Sequence, residues 1–473
     1  MIIIKNIRVI GRENDGAFDV TVESGKIKSI AAADRLSCPY IAGDVPARII
    51  DGSGLYLAPG FVDLHVHFRD PGFTDKEDIA SGSRAAARGG YTTVCCMPNT
   101  SPAIDCADVV EYIDARAGDA GLVNVFSVGA LTMGQKGVTL SDMAGMDGAE
   151  TLCRALTGHG IAGVSEDGKS LMDESLMLEA LALAKSLGLL VMDHAEDASL
   201  AGGCVNEGAV SEKLGVKGLP ARAETNIVER DVRLAAQTGA RIHIQHVSAT
   251  GSIELIRKAK AEGIPITAET APHYFALTEE TLTELPPAKR AQAKMNPPLR
   301  TEKDRLAIIE GLSDGTIDIL ATDHAPHEAS LKSLPLEESP FGIVGLETAF
   351  ALSYTELVRN GILTLTQLIN KMSAKPASLI GLNRGVVQEG ATADLAILDI
   401  DNSYKVDSKA FKSKGKNTPF EAREVYGNVR MTLHNGEIVY NASEYLEKLE
   451  LARKQSAEDL VLSKTMAELE AME

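Results

Sequence analysis

The chain has 473 residues, 44% hydrophobic and 24% charged, so it can bury a large core without disulfide or metal staples. At about 150 residues per domain, that length corresponds to two or three domains, or to one large barrel with an attachment. Lys and Arg number 47 against 66 Asp and Glu, a net charge of −19 that argues against nucleic acid or anionic lipid as partners.

Residues 1–57 read as short strands broken by turns. IIIKNIRVI, FDVTVESGKIKSIAAA and ARIIDGSGLYLAPG carry β-branched residues with Gly or Asn-Asp punctuation. The opening MIIIKNIRVI is apolar but short, with no basic leader and no cleavage site, and is expected to be a strand rather than a signal peptide. From 58 to 382 strand-like runs alternate with helical stretches. The strands are FVDLHVH, YTTVCCMPN, LVNVFSVGAL, GIAGVSEDG, LLVMDHAED, RIHIQHVSA, PITAETAPHY and IDILATDHAP. Helices lie between them, as in SLMLEALALAKSLG (175–188) and SIELIRKAKAEG (252–263). Eight such units over about 320 residues fit a (β/α)8 barrel. A doubly wound open sheet would want a Gly-rich phosphate turn after its first strand, and none is present.

Residues 383–440 return to short strands, with an Asn-Gly hairpin signal in HNGEIV. Two β-rich ends around a long middle predict one small β-sandwich domain assembled from 1–57 and 383–440. The remainder, 441–473, contains no Gly or Pro and is predicted as a helical tail with a mostly solvated face. No apolar run reaches the ~18 residues of a membrane span. Cys38, Cys95, Cys96, Cys106, Cys153 and Cys204 form no CxxC pair and no framework spacing, as expected of reduced core residues in a cytoplasmic protein.

The chemistry-bearing residues sit at strand ends. Of ten histidines, seven (His65, His67, His194, His246, His273, His324 and His327) fall at or just past the C-terminal ends of the predicted strands. That is the face where barrels carry active sites. Side chains alternate along a strand, so His65 and His67 share one face and present two imidazoles to the barrel mouth. Neutral imidazole suits zinc and its neighbours. Asp167, ending the fourth strand, could bridge two cations or serve as an ordinary turn residue of the Glu-Asp-Gly loop start. His194 and His246 end the fifth and sixth strands, and each taken alone reads as a hydrogen-bonded loop histidine. Asp323 emerges from the apolar eighth strand. Together these four His and two Asp suffice for two metals sharing a bridge, an arrangement that lowers the pKa of a shared water and polarises a carbonyl.

The order HxH, bridging residue, His, His, Asp over a barrel flanked by split β ends resembles the amidohydrolase superfamily. Longer stretches resemble dihydroorotases of the large bacterial class: PGFVDLHVHFRDPG (59–72), AAARGGYTTVCCMPNT, KMNPPLR (294–300), GTIDILATDHAPH (315–327) and FGIVGLETAF (341–350). The resemblance implies a metal-dependent enzyme that reversibly cyclises N-carbamoyl-L-aspartate to dihydroorotate and water in pyrimidine biosynthesis. It implies two Zn2+ per chain, bridged by Asp167 and a hydroxide. His65 and His67 match the ligands of one metal, His194 and His246 those of the other. Asp323 matches the metal-bound general acid/base. His67, Arg69, Asn99, Asn296, His327 and the Phe341–Gly342 backbone match the substrate contacts.

The chemistry agrees with those roles, since a bidentate guanidinium is the natural clamp for a carboxylate and a strongly acidic chain needs a local cation to accept an anion. Ordinary readings exist for each residue alone: Arg69 could pair with Asp70 or Asp75, Asn99 could be a turn residue, and Asn296 could cap a loop. Hydantoinase-like relatives bridge their metals with a carboxylated lysine, which leaves Lys169, and beside it Glu166, as alternatives to Asp167. SEDG (165–168) is less acidic at its start than the family pattern, and the tail beyond 440 is longer. The loop 328–340 is a candidate lid. A homodimer and an assembly with aspartate carbamoyltransferase are the partner expectations. The competing functions are another cyclic-amide hydrolase, or a non-catalytic partner of the transferase that has lost its ligands.

Overall fold

The computed structural model describes residues 1–12, 16–33 and 47–443. The chain opens with β1 (Ile2–Val9), β2 (Phe18–Glu23), β3 (Lys26–Ala32), β4 (Arg48–Asp51) and β5 (Tyr56–Pro59). A single residue, Gly60, then leads into β6 (Phe61–Val66). A Cβ at Gly60 would lie 2.4 Å from the Thr92 side chain, so only glycine fits where the chain passes from one sheet to the next.

The barrel continues with β7 (Tyr91–Cys96), β8 (Asn124–Ala130), β9 (Gly163–Ser165) and β10 (Val191–Asp193). A two-strand ribbon, β11 (Val205–Asn206) with β12 (Gly218–Leu219), interrupts it. It resumes with β13 (Ile242–Ile244), β14 (Ile266–Thr270) and β15 (Ile319–Leu320). The order β6-β7-β8-β9-β10-β13-β14-β15 gives eight parallel strands in sequence. A Val66–His324 bridge, with His67 N–H donating to His324 O at 2.9 Å, joins the end just past β15 back to β6. Every residue of β6, β7 and β8 is buried, as both faces of a helix-covered parallel strand must be. The expected (β/α)8 class is what the structure shows.

The helices obey local rules. SLMLEALALAKSL becomes Glu174–Leu187, capped by the Asp173 carboxylate accepting from Leu176 N–H and stopped by Gly188 at φ +77°. The second expected helix runs over Thr250–Ala261.

After the barrel come β16 (Leu395–Lys405), β17 (Glu424–His434) and β18 (Glu437–Asn441). They join the opening strands in one sheet of order β18-β17-β16-β5-β1-β2-β3, with β4 beside β1. The seam is the antiparallel β5–β16 pair, Pro59 opposite Leu395 and Tyr56 opposite Leu398. Ile4, Ile7, Val20, Ile27, Leu57, Leu395 and Leu433 cluster into a core that this sheet encloses by itself, separate from the main core. Between β16 and β17 the chain leaves the sheet over 406–423 and reaches the barrel mouth. The helix expected over 441–473 lies outside the described residues from 444 onward.

Several barrel strands are shorter than their apolar runs. LLVMDHAED yields only Val191–Asp193, and IDILATDHAP only Ile319–Leu320. The chain turns outward just beyond, and Arg69 (φ +62°), His246 (φ +32°) and Asp323 (φ +46°) hold left-handed or near-left-handed backbone there. Each such residue costs about 1–2 kcal/mol, a strain that tends to persist where a side chain must be aimed.

Candidate active site

Six strand ends, those of β6, β7, β9, β10, β13 and β15, and two later loops deliver the expected side chains to one cavity of about 210 Å³. His67, Arg69, Asn99, Asp167, His194, His246, Asn296, Asp323, His327, Phe341 and Gly342 all line it. His65 sits just beneath, its Nε2 3.3 Å from Asp167 Oδ1 and 3.6 Å from Asp323 Oδ1. His67 Nε2 lies 3.2 Å from Asp323 Oδ1 and 3.6 Å from Asp167 Oδ2. His194 Nδ1 lies 3.6 Å from Asp167 Oδ1 and 2.8 Å from His246 Nε2. Asp167 thus stands between the two pairs of histidines.

Hydrogen bonds behind the histidines set their tautomers. His65 Nδ1 donates to Glu269 Oε1 at 2.8 Å, and the other oxygen of Glu269 lies 3.1 Å from His243 Nε2. His67 Nδ1 donates to Asn99 Oδ1 at 2.9 Å. Both rings therefore turn Nε2 toward the aspartates, the nitrogen with which a histidine held in this way would ligate a metal. His65 Nε2 and His246 Nδ1 are buried with no hydrogen-bond partner among the described residues. The ligand atoms of His65, His67 and Asp323, and those of His65, Asp167 and His246, lie within 4.8 Å of one another. A buried donor set with orphaned nitrogens fits a divalent cation.

The electrostatics match. Burial works against charge on His65, but Asp167, Glu269 and Asp323 outweigh it and hold its pKa well above the usual imidazole value. Burial likewise opposes ionisation of Asp167, yet His65, His67 and His194 hold it well below the carboxylate range. Burial and the charges of His194 and His65 push His246 down to about 3. Burial opposes the charge of Glu269 too, but its histidine partners draw it down to about 2.

The alternatives to these residues are otherwise engaged. Glu166 accepts from the Thr132 backbone and hydroxyl, and Lys169 Nζ donates to Gln135 O. Asp70 takes the Tyr112 hydroxyl at 2.9 Å instead of Arg69. The Arg69 side chain is half-buried against the cavity, and its buried Nε has no partner among the described residues. Asn99 Nδ2 donates to Asp167 Oδ2 at 2.8 Å, and Asn296 Nδ2 to Glu196 Oε2 at 2.7 Å. His327 Nε2 donates to Phe341 O at 2.7 Å.

Two of the seven strand-end histidines stay out of the cavity. His273 is buried in the short helix Pro272–Ala276, and His324 lies 3.4 Å from Glu77 while its Nδ1 accepts from Gly345 N–H. The loop 328–340 contains a helical turn, Leu331–Ser333, tied down by Lys332 and Lys294. Sequence reasoning missed Glu269, Glu196, Lys332 and Asn417. Glu269 was visible only as the one charged residue of the strand ITAET.

Comparison with solved structures defines the class. L-hydantoinase (dihydropyrimidinase) from Arthrobacter aurescens superposes with a TM-score of 0.77 at 27% identity, covering 93% of this chain and 96% of that one. The dihydropyrimidinase of Brevibacillus agri NCHU1002 gives 0.78 at 24% identity, covering 93% and 95%. The fold is that of the cyclic amidohydrolases. The family described as Dihydro-orotase-like matches residues 54–252. Dihydroorotase of Clostridioides difficile strain 630 is 46% identical over 93% of this chain and 100% of its own length, and that of Caldanaerobacter subterraneus subsp. tengcongensis 43% over 95% and 100%. The chain belongs to the dihydroorotase family.

Proposed function

We infer that the chain catalyses the reversible interconversion of N-carbamoyl-L-aspartate and dihydroorotate, and that its centre is loaded with two zinc ions. The carrying observation is Arg69: a half-buried guanidinium whose buried Nε has no partner among the described residues, lining a cavity ringed by His and Asp. A neutral ring offers that cation only carbonyl oxygens, whereas dihydroorotate brings a carboxylate.

His65, His67, Asp167, His194, His246 and Asp323 would hold the metals, which when bound activate water and polarise the ring carbonyl. The chain's own residues do the rest. Arg69 clamps the carboxylate, with Asn99, Asn296 and His327 placed to meet the polar edge of the ring. In hydrolysis the ring C–N bond breaks; Asp323 takes a proton from the attacking oxygen and returns it to the departing nitrogen. Cyclisation reverses these steps and expels water. Residues 58–382 form the catalytic barrel in this reading, 1–57 with 383–440 the composite β unit, and 441–473 a tail. Separate cores support the division. Free Cys95, Cys96, Cys106, Cys153 and Cys204 support a reducing, cytoplasmic setting.

The test is metal content with turnover. The protein should bind about two metals per chain, as two-metal sites do. Asp323→Asn should cut dihydroorotate hydrolysis by about a thousandfold, within the range of a positioned acid/base. Undiminished turnover by Asp323→Asn, or by metal-stripped protein, would overturn the assignment.

A further inference from the structure

One peptide of the pocket wall is held by groups that belong to none of the roles above. Gly342 O accepts from Lys332 Nζ at 2.9 Å and from Asn417 Nδ2 at 3.0 Å, while its N–H donates to Lys294 O at 3.0 Å. A carbonyl has two lone pairs, and both are taken. Gly342 has no side chain to anchor it and cannot acquire one: its φ is +123°, and a Cβ would lie 2.7 Å from Ala325 Cβ. The wall is therefore fixed from behind, through its backbone.

Lys332 is fully buried and donates only to carbonyls, those of Lys294 (3.2 Å), Pro340 (3.0 Å) and Gly342. No carboxylate lies within ion-pair distance of it among the described residues. A methionine would fill similar space without desolvating a charge, but it would take the Nζ donor away from the Lys294, Pro340 and Gly342 carbonyls. Asn417 is also buried and uses its whole amide: Nδ2 also donates to Ala325 O at 3.1 Å, and Oδ1 accepts from His327 N–H at 3.1 Å. His327 Nε2 is committed to the Phe341 carbonyl, which can only accept. That leaves Nδ1, buried and without a partner among the described residues, in a ring that lines the cavity.

We propose that Lys332 and Asn417 are positioning residues for substrate: they lock the Ala325–His327 and Phe341–Gly342 segments together so that His327 Nδ1 is presented to the bound ring. The proposal rests on the reading above that His327 and Gly342 form the substrate wall. It gives the excursion 406–423 of the small β unit a part in recognition, because Asn417 is supplied from there.

The experiment uses the full-length, metal-loaded protein with Lys332→Met and Asn417→Ser. Steady-state kinetics on dihydroorotate are paired with amide exchange by mass spectrometry over 325–344. Each variant should raise KM about tenfold, the size of one good hydrogen bond, while kcat stays within about twofold. Exchange over 325–344 should quicken while the strands that carry His65 and His194 stay protected. Unchanged KM, or unchanged exchange, in both variants would overturn the proposal. If Lys332→Met does not fold, Asn417→Ser decides by the same criteria. If the unmodified protein turns over no dihydroorotate, the functional reading falls separately. Exchange over 325–344 then decides whether the two residues lock the wall: acceleration supports the lock, and no change overturns it.

Discussion

Replacing Arg69 by methionine removes the cation from the cavity while keeping a chain of similar length. The guanidinium is half-buried, with Nε buried and unpartnered among the described residues, so in the complex it would exchange a partly solvated state for a carboxylate. Two charge-assisted hydrogen bonds at about 1.5–3 kcal/mol each come to about 3–6 kcal/mol. At 1.4 kcal/mol per decade, kcat/KM for dihydroorotate should fall by about 10²–10⁴ in Arg69→Met. The assay compares dihydroorotate with its methyl ester, which has the same ring and a neutralised carboxylate, by loss of ring absorbance. The unmodified protein should prefer the acid by a similar factor, and the variant should level the two. Arg69 also feels the charges of Asp323, Asp167 and Glu77, so some loss common to both substrates is expected. A variant that keeps its preference for the acid, or loses less than about tenfold on it, would refute the clamp.

Other expectations concern the support of the site and the fold. Glu269→Gln keeps the shape of the side chain but removes the charge behind His65 and His243; metal affinity should drop about 10–100-fold in a chelator competition, and unchanged affinity would count against it. Asp78 caps the helix Ile79–Arg88 and lies 2.5 Å from Lys414 Nζ. Burial opposes its charge, but Lys414 and Ser81 draw its pKa from the usual 3.8 down to about 2. Its stabilisation, about 1 kcal/mol after solvent screening of a partly exposed pair, is complete above the unfolded value and is lost as pH falls from about 4 to 2. The stability gap between the parent and Asp78→Asn should therefore close across that window in urea titrations, and a gap independent of pH would contradict the ion pair. Gly60→Ala should lower stability by about 1–3 kcal/mol, read as a shift in the urea midpoint, because its Cβ collides with Thr92.

The residues at the strand ends were legible because two simple periodicities converge on them. Alternation put His65 and His67 on one face, and barrel architecture put the ends of the remaining strands at the same mouth. The fold class followed from alternating apolar runs and helices. Strand lengths did not: nothing in LATDHAP marks where the chain abandons the sheet, since that point is fixed by the left-handed turn at Asp323 rather than by hydropathy. The supporting shell was hidden for another reason. Glu269 looks like any acidic residue until His65 and His243 are brought to its two oxygens from other strands. Asn417 lies in a polar loop far along the chain, and only the tertiary fold places its amide between His327 and Gly342.

The seam between β5 and β16 has a consequence for how the molecule is made. A chain synthesised from its N-terminus emits β1 and β5 early, yet β16 emerges only after the whole barrel. Until then the β5 edge that β16 will cover stays open, with unpaired N–H and C=O groups that invite other strands. The barrel can meanwhile assemble, because its last strand, β15, and Asp323 just past it are made well before Leu395 appears. Asn417 arrives later still. The nascent protein thus passes through a stage at which every proposed metal ligand is present while one wall of the pocket is still unlatched, and the last loop to leave the ribosome before β17 is the one proposed to latch it.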